Sequence, residues 1–180
     1  MTAKCLPLFV VLCFAAMFSC NTDNRRIVAE KIIREWTGKQ IVFKEDVSCS
    51  ISGNDTMCLA DLLAKEYKIL LYVDSAGCSS CRLKLSDWKQ LIEESDSLFQ
   101  DKLGFVFLFQ PKSKKELSIL VNVNEFDYPI VVDMTNSIDK KNHFPAAMEH
   151  QCFLLNRENE VIAIGNPAAN IKIWKLYKKI

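Results

Sequence analysis

Two cysteines, Cys78 and Cys81, are separated by two serines and lie between an apolar run and a stretch of helical spacing. Two thiols at this spacing can close into a disulfide and open again. At the start of a helix, the exposed N–H groups and the positive end of the helix dipole stabilise a thiolate on the first of them. A strand, a short turn, Cys-x-x-Cys and a helix therefore predict a site for thiol–disulfide exchange.

Other interpretations of the two thiols remain open. A structural disulfide between them would close almost no loop and would add little stability. A zinc site would need further ligands at a similar spacing, and the remaining candidates, His143, His150 and Cys152, do not form a second pair. A motif that is retained without redox activity is the strongest rival to an active dithiol.

The elements that must position the dithiol follow from the spacing of apolar residues. Continuous apolar runs predict buried strands, a turn between two runs predicts a hairpin, and helical spacing predicts helices. Parallel crossovers that lead into an antiparallel hairpin predict an α/β fold in which helices cover both faces of a mixed central sheet. We expect strands at 41–43, 69–73, 105–109 and 130–132, a hairpin of 152–155 with 161–164, a loop or irregular helix at 137–147, and helices at 25–36, 59–67, after the dithiol, from 113, and at 168–177.

The first twenty residues differ in composition from the rest of the chain. Lys4 is their only charged residue, and the apolar run from Leu6 to Phe18 is too short to span a membrane. This order is typical of a secretory signal, and the ending at Cys20 resembles a bacterial lipobox, in which the cysteine becomes the lipidated first residue. Phe18 departs from that pattern, where a smaller residue is usual. Ordinary signal-peptidase cleavage and an uncleaved anchor helix remain alternatives, and all three place the folded part outside the cytoplasm.

The cysteines outside the signal are read in that oxidising context. Cys49 and Cys58 flank a polar segment and form a possible structural disulfide, worth about 2–3 kcal/mol if unstrained. Two unpaired thiols are the alternative. Cys152 lies in an apolar run and is expected to act as a small buried hydrophobe.

Composition and charge limit the class of protein. The chain has 180 residues, of which 49% are hydrophobic and 25% charged, with a formal net charge of +1. This is an ordinary globular composition, and the length suits one domain and a targeting segment. We assign 1–20 to a signal peptide, 21–58 to a tether and extension, and 59–180 to the folded domain. The near-neutral charge lacks a basic footprint, so we expect no nucleic-acid partner.

The sequence Gly77-Cys78-Ser79-Ser80-Cys81 after a buried strand, together with the hairpin 153–161, resembles the thioredoxin-like superfamily over roughly 59–180. It looks closest to the extracytoplasmic, membrane-anchored lipoprotein branch of thiol–disulfide oxidoreductases. The resemblance implies a three-layer α/β/α sandwich with a mixed central sheet. It also implies that Cys78 is the attacking thiol and that Cys81 resolves the mixed disulfide.

Three positions depart from the pattern of that superfamily. Gly77 replaces the tryptophan that often precedes the first cysteine. Tyr72 stands where the buried carboxylate assists the resolving thiol, and Asp74, on the same strand face, is a possible substitute or a solvated strand-end residue. His150 stands at the cis-proline position, where a cis bond would cost about 3–4 kcal/mol, so we expect it trans. It either faces the dithiol as an acid or base or is an exposed loop residue.

The resemblance implies a function as well as a fold. We expect thiol–disulfide exchange on protein thiols, in the reductase or isomerase direction, with no cofactor and with a membrane electron-donor protein that recharges the dithiol. A non-catalytic binding module of the cell envelope is the alternative. A weaker one is a copper chaperone that binds the metal through Cys78, Cys81 and His150.

Overall fold

The computed structural model describes residues 24–44, 47–51, 54–56, 59–75 and 83–180. The chain divides into two compact units, one ending at Glu35 and the other covering Trp36–Ile180. The described part of the first unit is helical, within a helix α1 over 24–36. Arg26 and Glu30, one turn apart, form an ion pair of 2.9 Å on it. None of the helices within the described ranges is both long and apolar enough to cross a membrane.

The second unit alternates strands with short helices. Its elements are β1 (Ser48–Ile51), β2 (Asn54–Thr56), α2 (Leu59–Leu63), β3 (Tyr67–Val73), α3 (Leu85–Phe99), β4 (Leu103–Phe109), α4 (Lys114–Val123), β5 (Ile130–Val132), α5 (Ser137–Asn142), a 3₁₀ turn (Met148–His150), β6 (Cys152–Leu155), β7 (Val161–Ile164) and α6 (Ile171–Tyr177).

These strands form one mixed sheet in the order β2-β1-β5-β4-β3-β6-β7. Strands β3, β4 and β5 are parallel, and β6, β7, β1 and β2 pair antiparallel to their neighbours. The mixed α/β sheet expected from the sequence is therefore confirmed. Because β3 and β4 are central, both of their faces are covered, and this explains why their sequences are continuous apolar runs.

Each face of the sheet carries its own core. On one face, the odd-numbered residues of β3 and β4 pack against α3, α4 and α6, with Trp88 and Trp174 fully buried among them. On the other face, Trp36 lies against Phe144 and Phe153, with ring centroids 5.8 and 5.0 Å away. All three tryptophans of the chain therefore lie in the core.

The last helix, α6, is fixed to the rest of the unit by polar contacts at its buried side. Trp174 Nε1 donates to Glu94 Oε2 on α3 at 2.7 Å, and Lys178 Nζ donates to Glu94 Oε1 at 2.8 Å. Tyr177 is buried, and its hydroxyl donates to the carbonyl of Gly165 at 2.8 Å. These bonds satisfy the polar ends of two large aromatic residues whose rings fill the core.

The strand predicted at 41–43 is absent, and this prediction is wrong. Gln40 makes only an isolated bridge with Glu160. The side chain of Asn142 then takes the place of a neighbouring strand, because its Oδ1 accepts from Val42 N and its Nδ2 donates to Val42 O, both at 2.9 Å. The side-chain amide bonds the backbone N–H and C=O of this one residue, so no ladder of hydrogen bonds extends along the segment.

Two further element boundaries differ from those predicted. The helix expected over 59–67 ends at Leu63, and β3 begins at Tyr67, whose N–H donates to Lys102 O at 2.9 Å. Pairing with β4 thus overrides the helical spacing at Tyr67. The polar segment around Cys49 forms the hairpin strands β1 and β2 instead of a plain loop, and β1 pairs with β5 in the sheet of the domain.

Candidate functional site

The dithiol itself, Cys78 and Cys81, lies outside the described residues. In the chain it falls between Ser75, just past β3, and Leu83, two residues before α3. The carboxyl ends of β3, β4 and β5 share one edge of the sheet because these strands are parallel. The polar residues that follow the three strands, Asp74, Gln110 and Asp133, therefore lie along the edge from which the dithiol segment departs.

Tyr72 is buried beneath this edge. Its hydroxyl lies 3.3 Å from Gln110 Oε1 and 3.4 Å from Asn136 Oδ1, and its ring stacks on Phe144 with centroids 4.6 Å apart. Because both oxygens can only accept, the phenol is the donor in this cluster.

The ionisation of Tyr72 is strongly disfavoured. Burial raises the pKa of Tyr72, and the carboxylates of Asp139, Asp74 and Asp133 raise it further. The phenol is neutral at neutral pH, so it cannot accept a proton as a carboxylate in the same place would. Of the two residues that the sequence offered for this role, Asp74 is the one with suitable chemistry.

Asp74 is half-buried one residue past the end of β3. Its charge is near enough to raise the pKa of Tyr72, which agrees with the alternation of side chains along the strand. Its Oδ2 accepts a long hydrogen bond, 3.4 Å, from Gln151 Nε2. Asp74 is therefore engaged with the segment that precedes β6.

His150 ends the 3₁₀ turn, and no cis peptide bond occurs within the described ranges, so the bond before His150 is trans, as expected. Its N–H donates to Ala147 O at 2.9 Å, and the N–H of Gln151 donates to Met148 O at 3.1 Å. Members of the resembled superfamily pair the backbone here with substrate. In this chain two of the backbone donors are used within the turn. The His150 side chain is partly exposed, and whether it meets the dithiol stays a prediction.

Gln151 was not singled out from the sequence. It is only 1% exposed, and its Nε2 donates to Pro145 O at 2.9 Å as well as to Asp74. Its Oε1 is buried and has no hydrogen-bond partner within the described ranges. The available signal was a lone amide at the start of the apolar run of β6, where a buried polar side chain needs a specific partner.

Asp133 caps the start of α5. Its carboxylate accepts from Ile138 N at 2.7 Å, from the N–H and hydroxyl of Thr135 at 3.2 and 3.1 Å, and from Ser137 Oγ at 3.2 Å. Burial alone would raise the pKa of Asp133, but these hydrogen bonds outweigh it and hold the pKa below its ordinary value. This carboxylate stays ionised as part of the scaffold of the edge.

Two of the remaining cysteines, Cys152 and Cys49, lie within the described residues. Cys152 is a free, fully buried thiol in the core, and burial raises its pKa strongly. It therefore packs as a small apolar residue. Cys49 is buried and disulfide-bonded. Cys58 and the lipobox-like Cys20 lie outside the described residues, so the pairing of Cys49 with Cys58 and the lipidation of Cys20 stay predictions.

Within the described ranges, no group of three or more histidine, cysteine or acidic side chains could hold a metal ion. The copper interpretation depends on Cys78 and Cys81, which are not described, so this finding does not test it.

Neither a family model nor a curated protein matches the sequence. Several solved structures, however, match the structure of this chain. The thioredoxin domain of a thiol-disulfide oxidoreductase from Bacteroides vulgatus matches with a TM-score of 0.55 and 14% identity, over 78% of this chain and 96% of that one. A thiol-disulfide oxidoreductase from Bacteroides fragilis matches with a TM-score of 0.56 and 13% identity, over 77% of this chain and 99% of that one. StoA from Bacillus subtilis matches with a TM-score of 0.50 and 20% identity, over 71% of this chain and 96% of that one.

At these identities the likeness establishes the fold. The second unit has a thioredoxin-like α/β fold, as the resemblance in sequence implied. The two neighbours from Bacteroides vulgatus and Bacteroides fragilis are named as thiol-disulfide oxidoreductases. What this chain does with the fold depends on its own residues.

Proposed function

We propose that this protein carries out thiol–disulfide exchange on protein substrates, with Cys78 as the attacking thiol and Cys81 as the resolving thiol. The observation that carries the proposal is the position of the motif in the chain. Cys-x-x-Cys follows β3, a central strand of a thioredoxin-like sheet, and precedes α3. A helix that starts after such a strand offers N–H groups that stabilise a thiolate.

The reaction transfers two electrons to the substrate. The Cys78 thiolate attacks one sulfur of a substrate disulfide, so that a mixed disulfide forms and one substrate thiolate leaves. Cys81 then attacks the sulfur of Cys78 and releases the second substrate thiolate, which leaves a Cys78–Cys81 disulfide. A membrane electron-donor protein returns the two electrons and restores the dithiol. No cofactor takes part.

The proposed location is the outside of the cytoplasmic membrane, held by lipidated Cys20. The signal-like composition of 1–20 supports it. The disulfide at Cys49 supports it as well, because structural disulfides persist in oxidising compartments.

The rival function is a binding module that retains the fold without turnover. Two observations favour it. Neutral Tyr72 replaces the usual buried carboxylate, and the N–H groups of His150 and Gln151 are bonded within the turn that would otherwise receive a substrate backbone.

Turnover of a disulfide substrate separates the two functions. We expect the soluble domain to reduce insulin in the presence of a small thiol, and Cys78→Ser to abolish this activity. In Cys81→Ser, a mixed disulfide on Cys78 should accumulate and be visible by mass spectrometry. Cys152→Ala is the matched control, because its thiol is fully buried. Absence of insulin reduction and of selective alkylation at Cys78 would favour the binding module, and a copper titration would test the chaperone.

A further inference from the structure

We propose that the outer side of α6 is a docking surface for a membrane with anionic headgroups. The surface consists of three lysines and two apolar residues beside them, and is called the lysine face below: Lys172, Lys175, Lys179, Ile171 and Leu176. All five residues are described and exposed. The proposal does not depend on the exchange chemistry proposed above.

Charge is distributed unevenly along the chain. The segment 161–180 contains four of the 23 lysine and arginine residues and none of the 22 acidic residues. The other 160 residues therefore carry 19 basic and 22 acidic side chains, a formal net charge of −3 against +4 in this segment. Such an asymmetry is typical of a chain whose basic part meets a polyanionic partner, such as a membrane surface.

The helix α6 places its buried aromatic residues and its lysines on opposite sides. Trp174 and Tyr177 are fully buried in the core. Lys172, Lys175 and Lys179 are all exposed and follow one another at intervals of three and four residues. A helical backbone therefore places the three lysines in one stripe about 10 Å long, since each residue adds about 1.5 Å.

The helical backbone continues far enough to include Lys179. The N–H of Lys178 donates to Trp174 O at 3.0 Å, and the N–H of Lys179 donates to Leu176 O at 3.1 Å. The helix is also fixed to α3, because the side chains of Trp174 and Lys178 both bond Glu94. The lysine face is thus held in place before any partner arrives, which lowers the entropy cost of binding.

The charge of the lysine face is not neutralised by the protein. Lys178 forms an ion pair with Glu94 at 2.8 Å. Among the described residues, the side chains of Lys172, Lys175 and Lys179 form neither an ion pair nor a hydrogen bond. Their three ammonium groups are therefore available to an external anion.

The two apolar residues of the face indicate which kind of anion is bound. Ile171 is 61% exposed and Leu176 is 51% exposed, and the helical repeat places one on each side of the lysine stripe. A single exposed apolar residue needs no explanation. Beside a lysine stripe, however, such side chains can enter the boundary between headgroups and acyl chains while the ammonium groups bind the headgroup anions.

The size of the face favours a membrane over a protein partner. A specific protein interface takes about 20–30 residues on each side. The lysine face has five residues on and just after a helix of seven. A membrane surface needs no groove of matching shape, and each lysine near it adds its own attraction. Lysine is suited to this as a point charge, whereas arginine is suited to a partner of fixed geometry.

Vesicle binding by the full chain tests the proposal. Co-sedimentation compares vesicles of phosphatidylcholine alone with vesicles that also contain anionic phosphatidylglycerol. The ratio of the two affinities removes contributions that are the same for both vesicles, such as insertion of apolar segments. We expect the triple variant Lys172→Gln, Lys175→Gln, Lys179→Gln to lower this ratio about 100-fold, because each lysine near an anionic surface contributes about 5-fold.

A matched control removes the same charge from other elements. Lys112, Lys115 and Lys141 are exposed and lie outside α6. We expect the triple variant Lys112→Gln, Lys115→Gln, Lys141→Gln to change the ratio by less than about 5-fold.

A second variant tests the apolar part of the face. Ile171→Ser combined with Leu176→Ser should weaken binding to the anionic vesicles about 10-fold, because about half of each apolar side chain can no longer be buried in the membrane. The net charge is unchanged in this variant, so a loss of affinity reports contact with the acyl boundary.

Amine acetylation of the unaltered protein gives a test that needs no variant. Anionic vesicles should protect Lys172, Lys175 and Lys179 from the reagent and leave Lys112 and Lys141 reactive, as measured by mass spectrometry of the digested protein. Vesicles of phosphatidylcholine alone should protect none of the five.

Three results would overturn the proposal. Equal loss in the two triple variants, or equal protection of all five lysines, would show a response to net charge alone. Binding of soluble polyglutamate to the lysine face as tightly as the anionic vesicles would assign an acidic polypeptide as the partner. The proposed exchange function is tested by insulin reduction without vesicles, so its failure is a separate result.

Discussion

Tyr72 carries the clearest chemical difference at the residue scale between this chain and the superfamily it resembles. A phenol replaces a carboxylate beneath the dithiol edge, and burial with three nearby carboxylates keeps it protonated. We propose Asp74, two residues further along the strand, as the carboxylate that serves this edge instead. Because the strand alternates, that shift keeps the side chain on the same face.

Removal of the Tyr72 hydroxyl tests this division of roles. We expect Tyr72→Phe to lower the free energy of unfolding by about 1 kcal/mol, since the hydroxyl makes only long hydrogen bonds to Gln110 and Asn136. The pH dependence of insulin reduction should not change, because the phenol stays protonated over the pH range of the assay. Urea unfolding and the pH profile of insulin reduction measure the two effects.

Tyr128→Phe is the matched control, a half-buried tyrosine that packs against the core and whose hydroxyl accepts from Phe105 N at 3.4 Å. It should cost a similar free energy and also leave the pH profile alone. A pH profile that changes in Tyr72→Phe but not in Tyr128→Phe would give Tyr72 a role in proton transfer and contradict the assignment.

At the scale of single residues, the sequence could predict which face of a strand a side chain occupies, but not which side chains it contacts. The alternation along β3 places Tyr72 and Asp74 together, and the apolar setting of Cys152 correctly indicates a buried thiol. Gln151 could not be predicted as a partner of Asp74. That contact depends on the register of β6 against β3, which is set by pairing between segments about 80 residues apart.

At the scale of elements, the hairpin β1–β2 extends the sheet beyond the strands of the dithiol edge. It is built from a polar segment with few apolar residues, and β1 uses β5 as its partner. Cys49 of β1 is buried and is disulfide-bonded. A covalent link supplies cohesion where the sequence offers little apolar area to bury.

We predict that Cys58 is the partner of Cys49. Cys58→Ser should then lower the free energy of unfolding by about 2–3 kcal/mol, because the open loop gains conformational freedom in the unfolded chain. The difference should vanish when the unaltered protein is unfolded with a reductant. In the unfolded variant without reductant, Cys49 should be alkylated, and Cys152→Ala should leave it protected. Continued protection of Cys49 in Cys58→Ser would assign it another partner.

The strands and helices of the central sheet could be predicted because their apolar periodicity is strong. The predicted elements that are wrong lie where a partner distant in sequence decides the local structure. The side chain of Asn142 bonds both the N–H and the C=O of Val42 in place of a neighbouring strand. Tyr67 belongs to β3 and not to the preceding helix, because its N–H donates to Lys102 O. The hairpin β1–β2 was missed because its polar strands do not resemble a buried strand.

At the scale of the whole molecule, Glu94 links the helix after the dithiol to the last helix of the chain. Bonds from Lys178 and Trp174 hold the pKa of Glu94 below its ordinary value. Such a group stabilises the fold above its unfolded pKa, near 4.5, and that stabilisation is lost as the pH falls through the folded pKa.

We expect Glu94→Gln to lower the free energy of unfolding by about 0.5–1 kcal/mol at pH 7. The effect is small because the side chains of Glu94 and Lys178 are 43% and 32% exposed, so water screens the pair. Near pH 3 the difference should shrink, and 1 M salt should also reduce it. Glu93→Gln, an exposed neighbour, is the control. An equal loss in both variants would show that net charge, not the contact, is responsible.

Tyr177 has a consequence for the behaviour of the protein in alkali. Burial and the nearby Cys152 raise the pKa of Tyr177, and its proton is held by the carbonyl of Gly165. An exposed tyrosine ionises near pH 10, but this one can do so only when the C-terminal helix leaves the sheet. The stability that the buried phenol provides is thus present below that pH and is lost above it. We therefore expect the terminal helix to detach as the Tyr177 phenolate appears, so that alkali loosens the fold at this helix.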